Sequence, residues 1–136
     1  MKSYRFKLGG SGLTRVLGEL EARIMEAVWQ LDAPTGKEIC ADLGPGSHYK
    51  TVLTVANRLV EKGLLSRESA GDRAYRYRAV ESREAFVRRI SAGVASGLLT
   101  DFGRHALAQF VQAADEVDPA YLDELERLVR ERKGGH

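Results

Sequence analysis

Lys50, Thr54 and Asn57 recur at intervals of four and three residues between Ser47 and Lys62. At about 100° per residue this spacing places them on one face of a helix, together with Glu61. The chemistry open to such a face is hydrogen bonding to nucleic-acid base edges. Lysine reaches guanine, asparagine pairs bidentately with adenine, and serine or threonine hydroxyls bond bases or phosphates. Side chains are short near the N-terminal end, which would let the helix backbone approach a groove. Ser47 and Arg58 flank the face, Thr51 lies at its margin, and Tyr49 lies nearer the apolar side. His48 is either a phosphate donor or a polar turn residue. Arg58 either contacts nucleic acid or holds an internal salt bridge. Such a face is often only solvated, so the segment that follows carries the decision.

That segment is a basic hairpin. Leu64 to Ser69 and Ala74 to Ala79 flank Ala70-Gly71-Asp72-Arg73, where Gly and Asp supply turn chemistry. Tyr75 and Tyr77 share one face of the second strand, and Arg76 and Arg78 share the other. The tyrosines are expected to pack against the preceding helix. The arginines, with Arg67 and Arg73, would line the hairpin near phosphates, which position a protein without specifying sequence. A helix followed at once by a basic hairpin is the reading end of a winged helix-turn-helix, so DNA binding is the leading expectation.

Other chemistries lack their residues. His48, His105 and His136 form no metal-ligand spacing on one element, and no phosphate-binding glycine loop or nucleophile elbow occurs. No enzymatic activity, metal or cofactor is expected. A single cysteine, Cys40, excludes an internal disulfide and a multi-cysteine metal site. It is read as a small buried apolar residue, with a redox-sensing thiol as the alternative.

The elements that must position this face precede it. Leu17, Leu20, Ile24, Val28 and Leu31 form a stripe at helical spacing, with Trp29 as a core anchor and Ala33-Pro34 as the stop. Thr35 can cap a second helix over 36–43, with Ile39 and Leu43 inward. Gly44-Pro45-Gly46 then turns into the third helix. Its apolar arc is Val52, Val55, Ala56 and Leu59, with Val60 at the edge. Ser47 is its expected N-cap, and Gly63 suits its C-terminus. Helix, helix, helix, hairpin is the winged-helix order.

After Ala79, Ser82 can cap a helix from Arg83 that carries Phe86, Ile90 and Val94. Gly93 and Gly97 weaken that helix or admit a close neighbour. Leu107, Phe110 and Val111 mark another helix, and Asp118-Pro119 opens the last, with Leu122 and Leu125 on its apolar side. The fold expected is mainly α with a small β-hairpin. A basic Gly-rich tail spans 1–14, a winged-helix DNA-binding domain 15–81 and a helical dimerisation domain 82–133. The C-terminal helices are too few for a good independent core, which predicts a homodimer. The tail carries Lys2, Arg5 and Lys7 and reads either as disordered or as a basic arm reaching along DNA.

The 136 residues carry a net charge of only +2, so bulk charge does not argue for nucleic acid. Residues 1–82 hold +3 and residues 83–136 hold −1, a modest excess on the reading half. No apolar run is long enough to insert in a membrane and no signal peptide is visible, so a cytoplasmic location is expected.

Tyr49-Lys50-Thr51-Val52, Thr54-Val55 and Arg58-Leu59-Val60-Glu61-Lys62-Gly63-Leu64 resemble the penicillinase and methicillin-resistance repressor family (BlaI/MecI/CopY type). Arg73-Ala74-Tyr75-Arg76-Tyr77 is similar to that family's wing, and Leu17-Gly18-Glu19-Leu20-Glu21 with Met25 and Trp29 to its first helix. The resemblance implies a transcriptional repressor that binds an inverted-repeat operator in double-stranded DNA as a homodimer. The expected DNA-facing set is Ser47, His48, Tyr49, Lys50, Thr51, Thr54, Asn57, Arg58, Arg73 and Arg76. The C-terminal helices would make the dimer interface, through Phe86, Ile90, Val94, Leu107, Phe110, Leu122 and Leu125. The best-known members of that family are released through a membrane sensor-protease pathway that cuts an Asn-Phe bond in the C-terminal domain. Here Gln109-Phe110 stands at the matching place, with Gln109 where Asn is expected. The cysteine pairs of the copper-responsive branch are missing at this C-terminus. The competing readings are a small-ligand-responsive MarR-like regulator and a winged-helix protein-interaction module without DNA binding.

Overall fold

The computed structural model describes residues 12–15 and 17–135. Most of the expected basic arm, residues 1–11, lies outside the described residues. Gly12–Arg15 form a short 3-10 turn, and Leu13 packs partly against the core, so the tail's last residues belong to the fold. Six α-helices and one hairpin follow: α1 Glu19–Gln30, α2 Gly36–Leu43, α3 Tyr49–Glu61, β1 Leu65–Gly71, β2 Ala74–Ala79, α4 Arg83–Phe102, α5 Arg104–Val117 and α6 Ala120–Gly134. The protein is mainly helical, with a winged-helix region followed by a helical C-terminal region. It divides into two compact units, one through Ser91 and one from Ala92.

In the first unit the apolar stripe of α1 meets the apolar arc of α3. Leu17, Ile24, Val28, Val52, Val55, Ala56 and Leu59 are buried in one core with Ile39 of α2. Local sequence sets each helix end. Thr35 Oγ1 accepts from the Glu38 N–H at 3.2 Å while Glu38 Oε1 accepts from the Thr35 N–H at 2.8 Å, a reciprocal capping box. At the end of α3 the Gly63 N–H donates to Val60 O and the Leu64 N–H to Leu59 O, both at 3.0 Å. This is the Schellman pattern, and Gly63 carries the positive φ of +82° that it needs. Ser47 is not the N-cap of α3. The turn closes with the Ser47 N–H on Gly44 O, which leaves His48 as the cap residue without a side-chain bond.

The hairpin is tighter than its sequence suggests. β1 runs on to Gly71, so only Asp72 and Arg73 form the turn. Both have positive φ, 49° and 62°, as a two-residue turn matching strand twist requires. The register pairs Arg67 with Tyr77 and Glu68 with Arg76, with an irregularity between Ser69 and Gly71. The loop before α2 adds an isolated bridge, Thr35 to Arg76, and the Tyr77 N–H donates to Pro34 O at 2.9 Å. These bonds fasten the wing to the segment joining α1 and α2.

Ser82 Oγ accepts from the Ala85 N–H at 3.1 Å and caps α4 as its sequence indicates. The first turns of α4 belong to the winged-helix unit. Phe86 is fully buried, its ring centroid 5.5 Å from that of Trp29, whose Nε1 donates to Glu81 O at 3.0 Å. Arg83 bonds both oxygens of Glu26 on α1, at 2.8 and 3.2 Å. The division therefore falls inside α4, ten residues beyond the expected boundary at 81. The second unit holds the remainder of α4 with α5 and α6, and none of its described residues is buried.

Candidate nucleic-acid interface

Helix α3 buries one side and leaves the other to solvent, as its two-faced sequence requires. His48, Tyr49, Lys50, Thr51, Thr54 and Arg58 are exposed, and Ser47 and Asn57 are half-buried. The Lys50 side chain is exposed and makes no hydrogen bond or ion pair among the described residues, so its ammonium is free for an external acceptor. Thr54 is partly committed: Oγ1 donates to Lys50 O at 2.9 Å, one turn back. The hydroxyl oxygen can still accept, and the residue is exposed. The first N–H groups of α3 have no side-chain cap, which leaves positive partial charge at the helix end nearest Lys50.

Asn57 departs from the expected adenine reader. Its Oδ1 accepts from the Tyr77 hydroxyl at 2.9 Å and from Arg67 Nη1 at 2.7 Å. Bidentate pairing with adenine needs that oxygen as an acceptor, and both of its lone pairs are taken. Tyr77 packs inside as expected, and burial raises its phenol above the usual value while the Arg67 charge opposes the shift. Tyr75 does not pack inside. It is 39% exposed and lies beneath the Arg67 guanidinium, 4.2 Å from carbon to ring centroid.

The wing arginines separate by partner. Arg76 was expected at phosphates, yet it turns back into the protein: Nη1 donates to Ala33 O at 2.9 Å and lies 3.4 Å from Glu38 Oε1. Glu38 is held below its usual carboxylate range, first by the Thr35 N–H, with the Thr35 hydroxyl and Arg76 adding to it. Arg78 lies 3.6 Å from Glu68. Arg73, at the exposed turn, and Arg67 have no carboxylate partner among the described residues. Arg58 forms no ion pair among them either, so the internal-salt-bridge reading falls; it exerts only a charge effect on Glu21. Cys40 is half-buried rather than buried, its thiol donating to Ser47 O at 3.8 Å.

Phe86 leaves the predicted dimer set, because a ring fully covered within the winged-helix core presents nothing to a partner. Ile90 is partly buried against the same core. Leu107 and Phe110 are 55% and 62% exposed, Val94, Leu122 and Leu125 half-buried, and Gln109 exposed within α5. Sequence reasoning placed Arg67 only among the arginines lining the hairpin near phosphates and missed its bond to Asn57. The strands expected from sequence pair Arg67 with Arg76; the irregularity between Ser69 and Gly71 moves it opposite Tyr77, so its place on the tyrosine face was not legible in the sequence.

The sequence model of the penicillinase repressor family matches residues 17–131, from the buried Leu17 to the penultimate turn of α6. The chain belongs to the penicillinase repressor family. This repressor family consists of DNA-binding transcription regulators, not enzymes. No curated protein matches the chain. A solved structure of an hsRosR-S1 complex is similar over 82% of this chain and 99% of that one, at 18% identity and a TM-score of 0.46. Among the described residues no cluster of side chains is suited to a metal ion, and no helix is long and apolar enough to cross a membrane.

Proposed function

We propose that this penicillinase repressor family member is a homodimeric repressor that sets α3 of each protomer in the major groove of one half of an inverted-repeat operator. The observation that carries the reading is the exposed face of Lys50, Thr51 and Thr54, on a helix whose opposite face is locked in the core beside a wing. Lys50 and Thr54 read base edges. Ser47, His48 and the open N-terminus of α3 meet phosphates, with Tyr49 and Arg58 at the margins and Arg73 at the tip of the wing.

The C-terminal unit supplies dimerisation. Its 45 residues bury no described side chain, and ten of the fourteen large exposed apolar side chains among the described residues belong to it. Open grooves of about 390 and 630 Å³, lined by residues such as Leu99, Phe102, Phe110 and Leu125, lack the cover that a second copy provides. A unit this small is seldom stable without such cover. Two half-sites bound by one dimer make the second contact intramolecular, so splitting the dimer empties the operator. Gln109-Phe110, exposed on α5, is the candidate bond for release by a sensor-protease pathway.

The test is a titration into the duplex upstream of the protein's own gene, centred on any inverted repeat found there, and into a scrambled duplex, at several salt concentrations. A preference of roughly 10³-fold, lost steeply with salt, is expected. Failure to bind either duplex overturns the reading. Recovery of only intact chain after induction in cells rejects cleavage.

A further inference from the structure

We propose that Arg67 is the wing's principal DNA-contacting residue and that Asn57 is its positioning residue rather than a reader of bases. The inference rests on the DNA-binding reading above. Two constraints hold the Arg67 guanidinium: Nη1 is bonded to Asn57 Oδ1 at 2.7 Å, and its plane lies over the Tyr75 ring at 4.2 Å. Asn57 is itself held, because the buried Tyr77 donates to the same oxygen at 2.9 Å. The remaining N–H groups of Arg67 have no partner among the described residues, and the side chain is exposed.

The arrangement prepares Arg67 for an anionic acceptor. Guanidinium recognises phosphate through a planar fork of donors, and a fork already oriented loses little freedom on binding. Asn57 lies on the same α3 face as Lys50 and Thr54, so its bond to Arg67 carries the reading face of the helix onto the wing. Arg76 and Arg78, in contrast, spend their charge on Glu38 and Glu68. The neutral Asn57 orients Arg67 without neutralising it, which a carboxylate at position 57 would do.

Operator titration of Arg67→Ala, Arg67→Lys, Asn57→Ala and the double variant tests this. Arg67→Ala should weaken binding roughly tenfold or more and reduce the salt slope by about 2, one for each protomer of the dimer. Arg67→Lys should restore the slope but not the affinity. Asn57→Ala should weaken binding while Arg67 is present and have little further effect in Arg67→Ala. Equal losses from Asn57→Ala in both backgrounds, or loss confined to one base pair of the operator, overturn the positioning role. An unchanged slope in Arg67→Ala overturns the contact. Should Asn57→Ala fail to fold, the exposed Tyr75 serves instead: Tyr75→Phe should keep affinity, and Tyr75→Ala should lose it in wild type but not in Arg67→Ala. Tyr75→Ala without effect overturns the proposal. Wild-type protein that binds no duplex overturns the DNA-binding reading itself, whereas wild-type binding with indifferent Arg67 variants overturns only this inference.

Discussion

Lys62 Nζ lies 2.6 Å from Glu21 Oε2, joining the C-terminal cap of α3 to the first turn of α1 across 41 residues. Burial pushes the Glu21 carboxyl up, but Lys62, the Gly18 N–H and the Arg58 charge outweigh it and hold the group below its ordinary 4.5. A carboxyl depressed on folding stabilises fully above its unfolded value and loses that contribution as pH falls through its folded value. The winged-helix unit should therefore lose stability as pH drops below about 4.5. In Glu21→Gln that part of the acid dependence should vanish, at a neutral-pH cost of about 1 kcal/mol. Thermal melts from pH 7 to 3 check it; parallel pH profiles for the two proteins would refute it.

Phe86 was expected at the dimer contact and lies instead in the winged-helix core. Phe86→Ala should cost about 3–5 kcal/mol of that unit's stability through the cavity it leaves. Denaturant unfolding followed by Trp29 fluorescence reports it, since the two rings touch. A variant that unfolds normally but sediments as a monomer would place Phe86 at the interface after all.

Gly63 holds φ at +82° to close the Schellman turn between α3 and β1. A Cβ there meets no steric neighbour, so the cost of Gly63→Ala is backbone strain alone. We expect a loss of about 1–2 kcal/mol. The urea midpoint should fall without change in the slope of the transition. An unshifted midpoint would mean that the turn is not held as described.

Phe110 and Leu107 are more than half exposed on α5. Phe110→Asp should leave the melting of the winged-helix unit unaltered and weaken self-association by roughly thirtyfold or more. Sedimentation over a concentration series measures it. Unchanged association would exclude this side of α5 from the contact.

The sequence by itself determined what depends on neighbours within a few residues. The capping box of Thr35 and Glu38, the serine cap at Ser82, the turn at Gly63 and the buried arc of Val52, Val55, Ala56 and Leu59 are local consequences of side-chain type and helical period. Three helices and a hairpin in order follow from them. Tertiary structure decided the rest, because the deciding partners lie far along the chain. Asn57 has its acceptor filled from Tyr77, 20 residues away, and Arg76 is drawn to Ala33 O, 43 residues away. Phe86 finds Trp29 on the far side of the whole winged-helix segment. A helical wheel shows which way a side chain leaves its own helix. It cannot show what stands there, and a polar group that meets a protein partner first is no longer free for DNA.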